Sequence, residues 1–215
     1  MNALFWPMTG GLRQQWFAWS LVNFGSTADL ALADWKRRLF AEATGTVLEI
    51  GAGAGVNAKY LRHHRQLMAL EPNPFLHLHL SRVAFSVLGE RAEQTTIPDE
   101  SVDTVISSLV LCSVGDVDAT VAEVKRVLKP GGTYRFIEHV AAAPGTWLHF
   151  AQRVFAPLCR CLEDGCQPNR EIALHVHKAG MEVVYFEEFT ANVKAPLIQN
   201  FICASAAFCG SRNHS

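Results

Sequence analysis

The chain has little charge and no excess of either sign. Its 19 Lys and Arg stand against 20 Asp and Glu, and charged residues make up 18% of its 215 positions. That balance excludes the basic footprint on which nucleic-acid binding rests, so no nucleic-acid partner is expected. No apolar run approaches the ~20 residues that cross a bilayer. Internal repeats and low-complexity tracts are absent, which excludes solenoids and disordered linkers. No secretory signal is recognised, so a cytoplasmic setting is expected and Cys112, Cys159, Cys161, Cys166, Cys203 and Cys209 read as free thiols.

What is present is apolar material: 49% of the residues are hydrophobic. A chain of this length buries roughly 70–75% of its unfolded-state surface and needs no metal or disulfide to hold a core. The composition suits a packed enzyme acting on a small, neutral or apolar molecule. The start is rich in aromatics (Phe5, Trp6, Trp16, Phe17, Trp19, Phe24), interrupted by Arg13, Gln14 and Gln15 and broken by Pro7, Gly10 and Gly11. Residues 1–44 are therefore expected to form a helical lid on a domain spanning 45–215. Peripheral contact with a membrane surface is the alternative. Nothing in the sequence speaks to oligomeric state.

Helical patterns cover 11–24 and 27–43. The apolar run 47–50, ending at glycines, reads as a buried parallel strand. A helix is expected over 54–65, a strand over 66–70, and a helix over 75–88 after the prolines at 72 and 74. Then come strand 102–107, helix 116–128 closed by Lys129-Pro130-Gly131-Gly132, and strand 133–138. Helices over 146–162 and 169–179 precede two closing strands, 182–187 and 201–207. Strands alternating with helices imply an α/β, doubly wound, mostly parallel sheet. The last two strands lack a crossover helix and should pair antiparallel. A ligand then belongs beyond the carboxyl ends of the strands, where strand order reverses.

Gly51-Ala52-Gly53-Ala54-Gly55 follows the first strand directly. Glycine permits backbone angles closed to other residues and lets a ligand touch the main chain. The spacing is G-x-G-x-G, not the G-x-G-x-x-G of dinucleotide sites. Glu71 lies twenty residues beyond Gly51 at the end of the next strand, where a carboxylate can accept from both hydroxyls of a ribose. Both NAD and S-adenosylmethionine satisfy these features; the downstream blocks decide between them.

Three blocks resemble class I S-adenosylmethionine-dependent methyltransferases: VLEIGAGAG (47–55), IPDESVDTVISS (97–108) and RVLKPGGTYRFIEH (126–139). Dehydrogenases lack the second and third. A narrower similarity, in SLVLCSV (108–114), FIEHVAA (136–142), the TW pair at 146–147, and EDGC with Arg170-Glu171, is to the alkyl-thiol S-methyltransferases. Relatives in animals carry an N-terminal membrane anchor, for which this chain has a short aromatic leader. The resemblance implies the Rossmann-like methyltransferase fold: seven strands, an antiparallel last strand and N-terminal lid helices. It also implies S-adenosyl-L-methionine as cofactor and S-adenosyl-L-homocysteine as product. Glu49 should reach the methionine amino group, with Gly51, Ala52 and Gly53 bordering the methionine portion and Gly55 and Asn57 also among the cofactor-binding residues. Glu71 should hold the ribose and Pro72 pack near the adenine. Where many relatives have D-A-E, this chain has Arg91-Ala92-Glu93, leaving Ala92 and Glu93 beside the adenine. Ser107 should face the methyl group, and Ser108 the substrate.

The sulfonium methyl is already activated, so the protein has to align a nucleophile and exclude water. A thiol attacks as thiolate, with a free pKa near 8.5. His139, just past the fifth strand, is the candidate base, and a structural histidine is the alternative. Cys112 and Trp147 are candidate pocket residues. Cys159, Cys161 and Cys166, with His149, His175 and His177, have spacings that fit zinc poorly, so no metal is expected. The expected activity is methyl transfer to a small thiol. O- or C-methylation of a quinone- or lipid-like molecule, and a non-catalytic cofactor-binding module, remain as alternatives.

Overall fold

The computed structural model describes residues 10–162 and 164–208; Phe5, Trp6, Pro7 and Cys209 lie outside them. Seven strands form one sheet in the order β3-β2-β1-β4-β5-β7-β6. They are β1 (Thr44–Ile50), β2 (His63–Leu70), β3 (Ser86–Leu88), β4 (Val102–Ser108), β5 (Leu128–His139), β6 (Glu182–Thr190) and β7 (Asn200–Ala207). The first five run parallel, and β7 is antiparallel to both neighbours. This is the doubly wound sheet with an antiparallel last strand. Strand order reverses between β1 and β4, which places the crevice at their carboxyl ends.

The helices are α1 (Gly10–Phe24), α2 (Ser26–Ala31), α3 (Ala33–Phe40), α4 (His77–Leu80), α5 (Val117–Val127), α6 (Trp147–Leu162) and α7 (Ile172–Lys178). One face of the sheet packs on α5 and α7, with Val105, Val121, Val124, Tyr134, Phe136, Ile172 and Val176 in one buried cluster. The other face packs on α3, where Leu32, Phe40, Val47, Ile106, Ile137 and Phe201 form a second.

Four local expectations fail, each for a physical reason. The helix over 54–65 is replaced by turns and a short 3-10 segment, Ala58–Tyr60. Thr44 pairs with His63 in parallel register, so the connection must run back along all of β1. Seven strand residues span roughly 23 Å, while an α-helix made of the whole intervening stretch would reach only about 18 Å. The connection is therefore more extended than a helix. The helix over 75–88 shrinks to a 3-10 turn and α4, because Ser86–Leu88 pairs with Met68–Leu70 as the edge strand β3. The helix over 27–43 divides at Leu32, whose φ of −101° and ψ of 1° leave the helical region while its side chain is fully buried. Finally, β5 starts at Leu128, which pairs with Val102, and the register then jumps to Thr104–Thr133. The residues between are a bulge inside the strand, not a turn before it.

Candidate active site

A cavity of about 500 Å3 opens at the carboxyl ends of β1, β2 and β4, within the usual range for small-molecule sites. Gly51 and Gly53 form its floor at φ 60° and 56°. Both need glycine. A Cβ on Gly51 would come 2.6 Å from the Val110 side chain, and one on Gly53 would meet Leu21 of α1 at 3.0 Å. Gly55 also has a positive φ but turns toward Val83 and Leu80, away from the lining.

Glu71, at the end of β2, reaches this floor with little exposure. Its two oxygens accept from the Gly53 and Asn73 amides, each at 2.9 Å. Burial pushes its pKa up, against the pull of those two amides. A carboxylate has about four lone-pair positions, so two remain for a ligand. Glu49 stands behind Asn57, accepting from its amide at 2.7 Å, and burial raises it to about 7. Glu49 Oε2, Asn57 Oδ1 and Ser108 Oγ are buried without a partner. Asn57 and Ser108 line the cavity. Unsatisfied polar atoms are costly in a dry interior, and a polar ligand in this crevice relieves that cost.

Two further groups near Glu49 were not singled out in the sequence. Asp29 and Lys36 both line the cavity, nearly buried, and pair at 3.0 Å; Lys59 and the Tyr60 hydroxyl also bind Asp29. Burial lowers the Lys36 pKa, with Asp29 opposing. Asp29 lies on α2 and Lys36 on α3, so the two meet across the break at Leu32.

On the opposite wall lie Pro72, Glu90, Arg91, Ala92 and Glu93. Glu93 accepts from the Gly115 amide at 2.6 Å and pairs with Arg91 at 3.2 Å. Helix α1 lies across the cavity with Arg13, Gln14, Phe17 and Leu21 on its inner face. Asn73 donates to the Gln14 carbonyl at 2.9 Å, and Arg13 pairs with Asp164 at 3.3 Å. Trp16 and Trp19, on the other side of α1, remain half exposed. Among the described residues, no helix is long and apolar enough to cross a membrane.

The segment after β4 forms the third wall. Leu109 sits at φ 61°, strained for a branched side chain, and directs the chain around the cavity edge. The signal for what holds this turn was the acid in FIEH, which sequence reasoning passed over. Glu138 is fully buried and accepts from Ser107 Oγ at 3.1 Å, Val110 N at 3.0 Å and Leu111 N at 3.2 Å. Burial pushes its pKa up to about 8. From outside, the Arg170 guanidinium donates to the carbonyls of Leu111 and Val114.

This wall corrects several expectations. Ser107 turns into the core, bonded to Tyr134 and Glu138, so Ser108 alone of the pair faces the cavity. Cys112 and His139 are both buried outside the lining, clustered with Cys166; His139 Nε2 lies 3.3 Å from Cys166 Sγ. An imidazole 1% exposed behind the wall cannot take a proton from an acceptor in the cavity, so the structure does not support His139 as the base. Trp147 begins α6 with 79% of its surface exposed, outside the cavity and beside Phe150. The helix presents it to solvent, so it is not a pocket wall. The metal set weighed in the sequence also disperses: His175 pairs with Asp118, His149 bonds to the Ala142 carbonyl, and Cys159 lies on α6.

Residues 48–136 match the family model described as a methyltransferase domain. Human thiol S-methyltransferase TMT1A is 34% identical over 209 residues, covering 88% of this chain and 84% of that protein. Human thiol S-methyltransferase TMT1B is 35% identical, covering 71% of this chain and 69% of that protein. Among solved structures, an S-adenosylmethionine-dependent methyltransferase of Thermotoga maritima superposes with a TM-score of 0.63 at 20% identity, over 90% of this chain and 94% of that one.

Proposed function

The chain belongs to the S-adenosylmethionine-dependent methyltransferases, in the family of the thiol S-methyltransferases, and from that premise we propose that its acceptor is a small thiol. Methyl transfer from S-adenosylmethionine is the activity of the enzyme; the choice of sulfur as acceptor is our reading. It rests on the two human thiol S-methyltransferases, one of which spans most of this chain. When bound, the cofactor supplies a methyl group already activated on a sulfonium.

The chain's own residues divide the remaining work. Gly51, Ala52 and Gly53 border the methionine portion, and Asn57 with Glu49 behind it faces the ammonium. Lys36 supplies the cation for the methionine carboxylate, a role the sequence had left unassigned. Glu71 keeps two lone pairs for the ribose, and Pro72, Ala92 and Glu93 flank the adenine. Ser108 faces the reacting centre, and α1 serves as a lid that excludes water. Among the described residues, no histidine lines the cavity. In this reading the acceptor arrives as the thiolate that its own pKa supplies, with Arg13 and Arg160 at the lining to favour the anion.

The similarity to the thiol S-methyltransferases carries the choice of sulfur, and the cavity at the strand switch point, floored by Gly51 and Gly53 and crossed by α1, supports the cofactor's placement. The test compares an alkyl thiol with a phenol as acceptors, measuring S-adenosylhomocysteine formed. Turnover of the thiol alone, rising with pH up to the acceptor's own pKa, is expected. Methylation of the phenol alone would reject the thiol reading, and binding of the cofactor with transfer to neither would point to a non-catalytic module.

A further inference from the structure

The three side chains displaced from the cavity wall share a feature of their own. Cys112 comes from the turn after β4, His139 from the last position of β5, and Cys166 from the turn after α6. All three are buried, and one ligand atom from each lies within 4.8 Å of the other two. In a tetrahedral zinc site, bonds of about 2.3 Å to sulfur and 2.0–2.1 Å to nitrogen put ligand atoms about 3.5–3.8 Å apart. The His139 Nε2 to Cys166 Sγ separation of 3.3 Å is close to that edge.

We propose that Cys112, His139 and Cys166 together hold one thiophilic divalent cation of the zinc class, which ties the 164–167 turn to the carboxyl end of the sheet. Two thiolates and a neutral imidazole balance the charge of such an ion, and binding releases the thiol protons to solvent. The fourth position is left to water, since the described residues offer three protein ligands.

Several contacts hold these ligands in place independently of one another. The Gln167 amide donates to the Cys112 carbonyl at 2.9 Å, fixing the two cysteine-bearing turns side by side. Glu138 and Arg170 grip the backbone around Leu111 from inside and outside. Preorganisation of this kind lowers the cost of gathering ligands from three segments. Two sulfurs and an imidazole nitrogen are a soft ligand set, which favours cations of the zinc class over magnesium or calcium.

The consequence is structural. Asp164, Gly165 and Gln167 line the cavity, and Asp164 pairs with Arg13 of α1. An ion behind that turn fixes the wall on which the lid rests. The cluster is separated from the cavity by Ser113, whose hydroxyl lies 3.5 Å from Cys112 Sγ. The proposal does not rest on the identity of the methyl acceptor.

The test uses the full chain, purified with reductant and without chelator. Elemental analysis should find about one zinc per chain. Metal-free protein titrated with Co2+ should show thiolate-to-cobalt charge transfer in the near ultraviolet. Cys112→Ser and Cys166→Ser should each remove about half of that absorbance. Should either variant fail to fold, zinc-edge X-ray absorption of the unmutated protein decides: two sulfurs and an imidazole nitrogen are expected in the first shell. A shell of oxygen and nitrogen alone would overturn the proposal. So would wild-type protein that takes up no Co2+ or zinc, or a Cys112–Cys166 disulfide as its resting state under reductant.

Discussion

The two halves of the cavity are built on different principles. The half formed by β1 and β2 is local. Gly51, Gly53 and Glu71 lie within twenty-one residues of one another, and the Glu71 carboxylate bonds directly to the glycine loop it faces. The half formed by β4 and β5 is assembled from distant segments. Glu138 holds amides 27 and 28 residues away, and Arg170 reaches carbonyls 56 and 59 residues away. The first half leaves Glu49 Oε2 and Asn57 Oδ1 unsatisfied, whereas the second, Ser108 Oγ apart, spends Glu138 and Arg170 on its own backbone.

That contrast predicts opposite consequences for two glutamates. Glu138→Ala strands the buried amides of Val110 and Leu111, each worth about 1–3 kcal/mol, and leaves Ser107 with Tyr134 alone. Stability by urea denaturation should fall by roughly 3 kcal/mol or more, and Glu138→Gln should recover part of it. A loss below about 1 kcal/mol would mean that Glu138 is not the staple of this wall. Glu71→Ala should act on the ligand: cofactor affinity by calorimetry should fall by about 1–3 kcal/mol, roughly 5- to 150-fold. If the stability loss of Glu71→Ala exceeded that of Glu138→Ala, the distinction between the two halves would collapse.

Glu49 sharpens the same comparison through pH. Its pKa in the free protein is about 7, raised above its ordinary 4.5 by burial. The unfolded chain loses this proton at lower pH than the folded one, so this group's contribution to stability is full below about 4.5 and declines as pH rises to about 7. A cofactor ammonium nearby favours the carboxylate, so binding near pH 7 should release a proton. Affinity should then rise between pH 6 and 8. Calorimetry in buffers of different ionisation enthalpy measures that proton, and Glu49→Gln should abolish it. Proton uptake in its place would put the ammonium elsewhere. The smallest effect is expected at Trp147, where Ala should change stability and turnover by less than about 0.5 kcal/mol. A tenfold loss of turnover would return the tryptophan to the pocket.

The parts legible beforehand follow this division. Gly51, Gly53 and Glu71 were readable because a strand, a tight turn and the next strand's end lie in sequence order, each with its own residue signature. Asn57, Pro72, Ala92, Glu93 and Ser108 also come to the cavity. His139 and Cys112 were close in sequence to the right strand ends, but strand position does not say which side of the wall a side chain faces. Lys36 and Asp29 escaped notice because an acid and a base seven apart on a helix usually mark a solvated face. Glu138 stood in plain view as the acid of FIEH, but nothing in that segment said which distant amides it would hold.

By itself the sequence determined the α/β architecture and the glycine loop. It did so through apolar runs of strand length, glycines after the first of them, and motif blocks in fixed order, all of them short-range properties of the chain. The tertiary structure alone decided that residues 54–65 would not be a helix, because the parallel register of Thr44 with His63 sets a distance a helix cannot cover. It alone gathered Cys112, His139 and Cys166, three ligands whose spacing matches no metal motif. Spacing along the chain predicts proximity only when one helix or turn carries all the residues, and here three separate segments meet at the carboxyl end of the sheet.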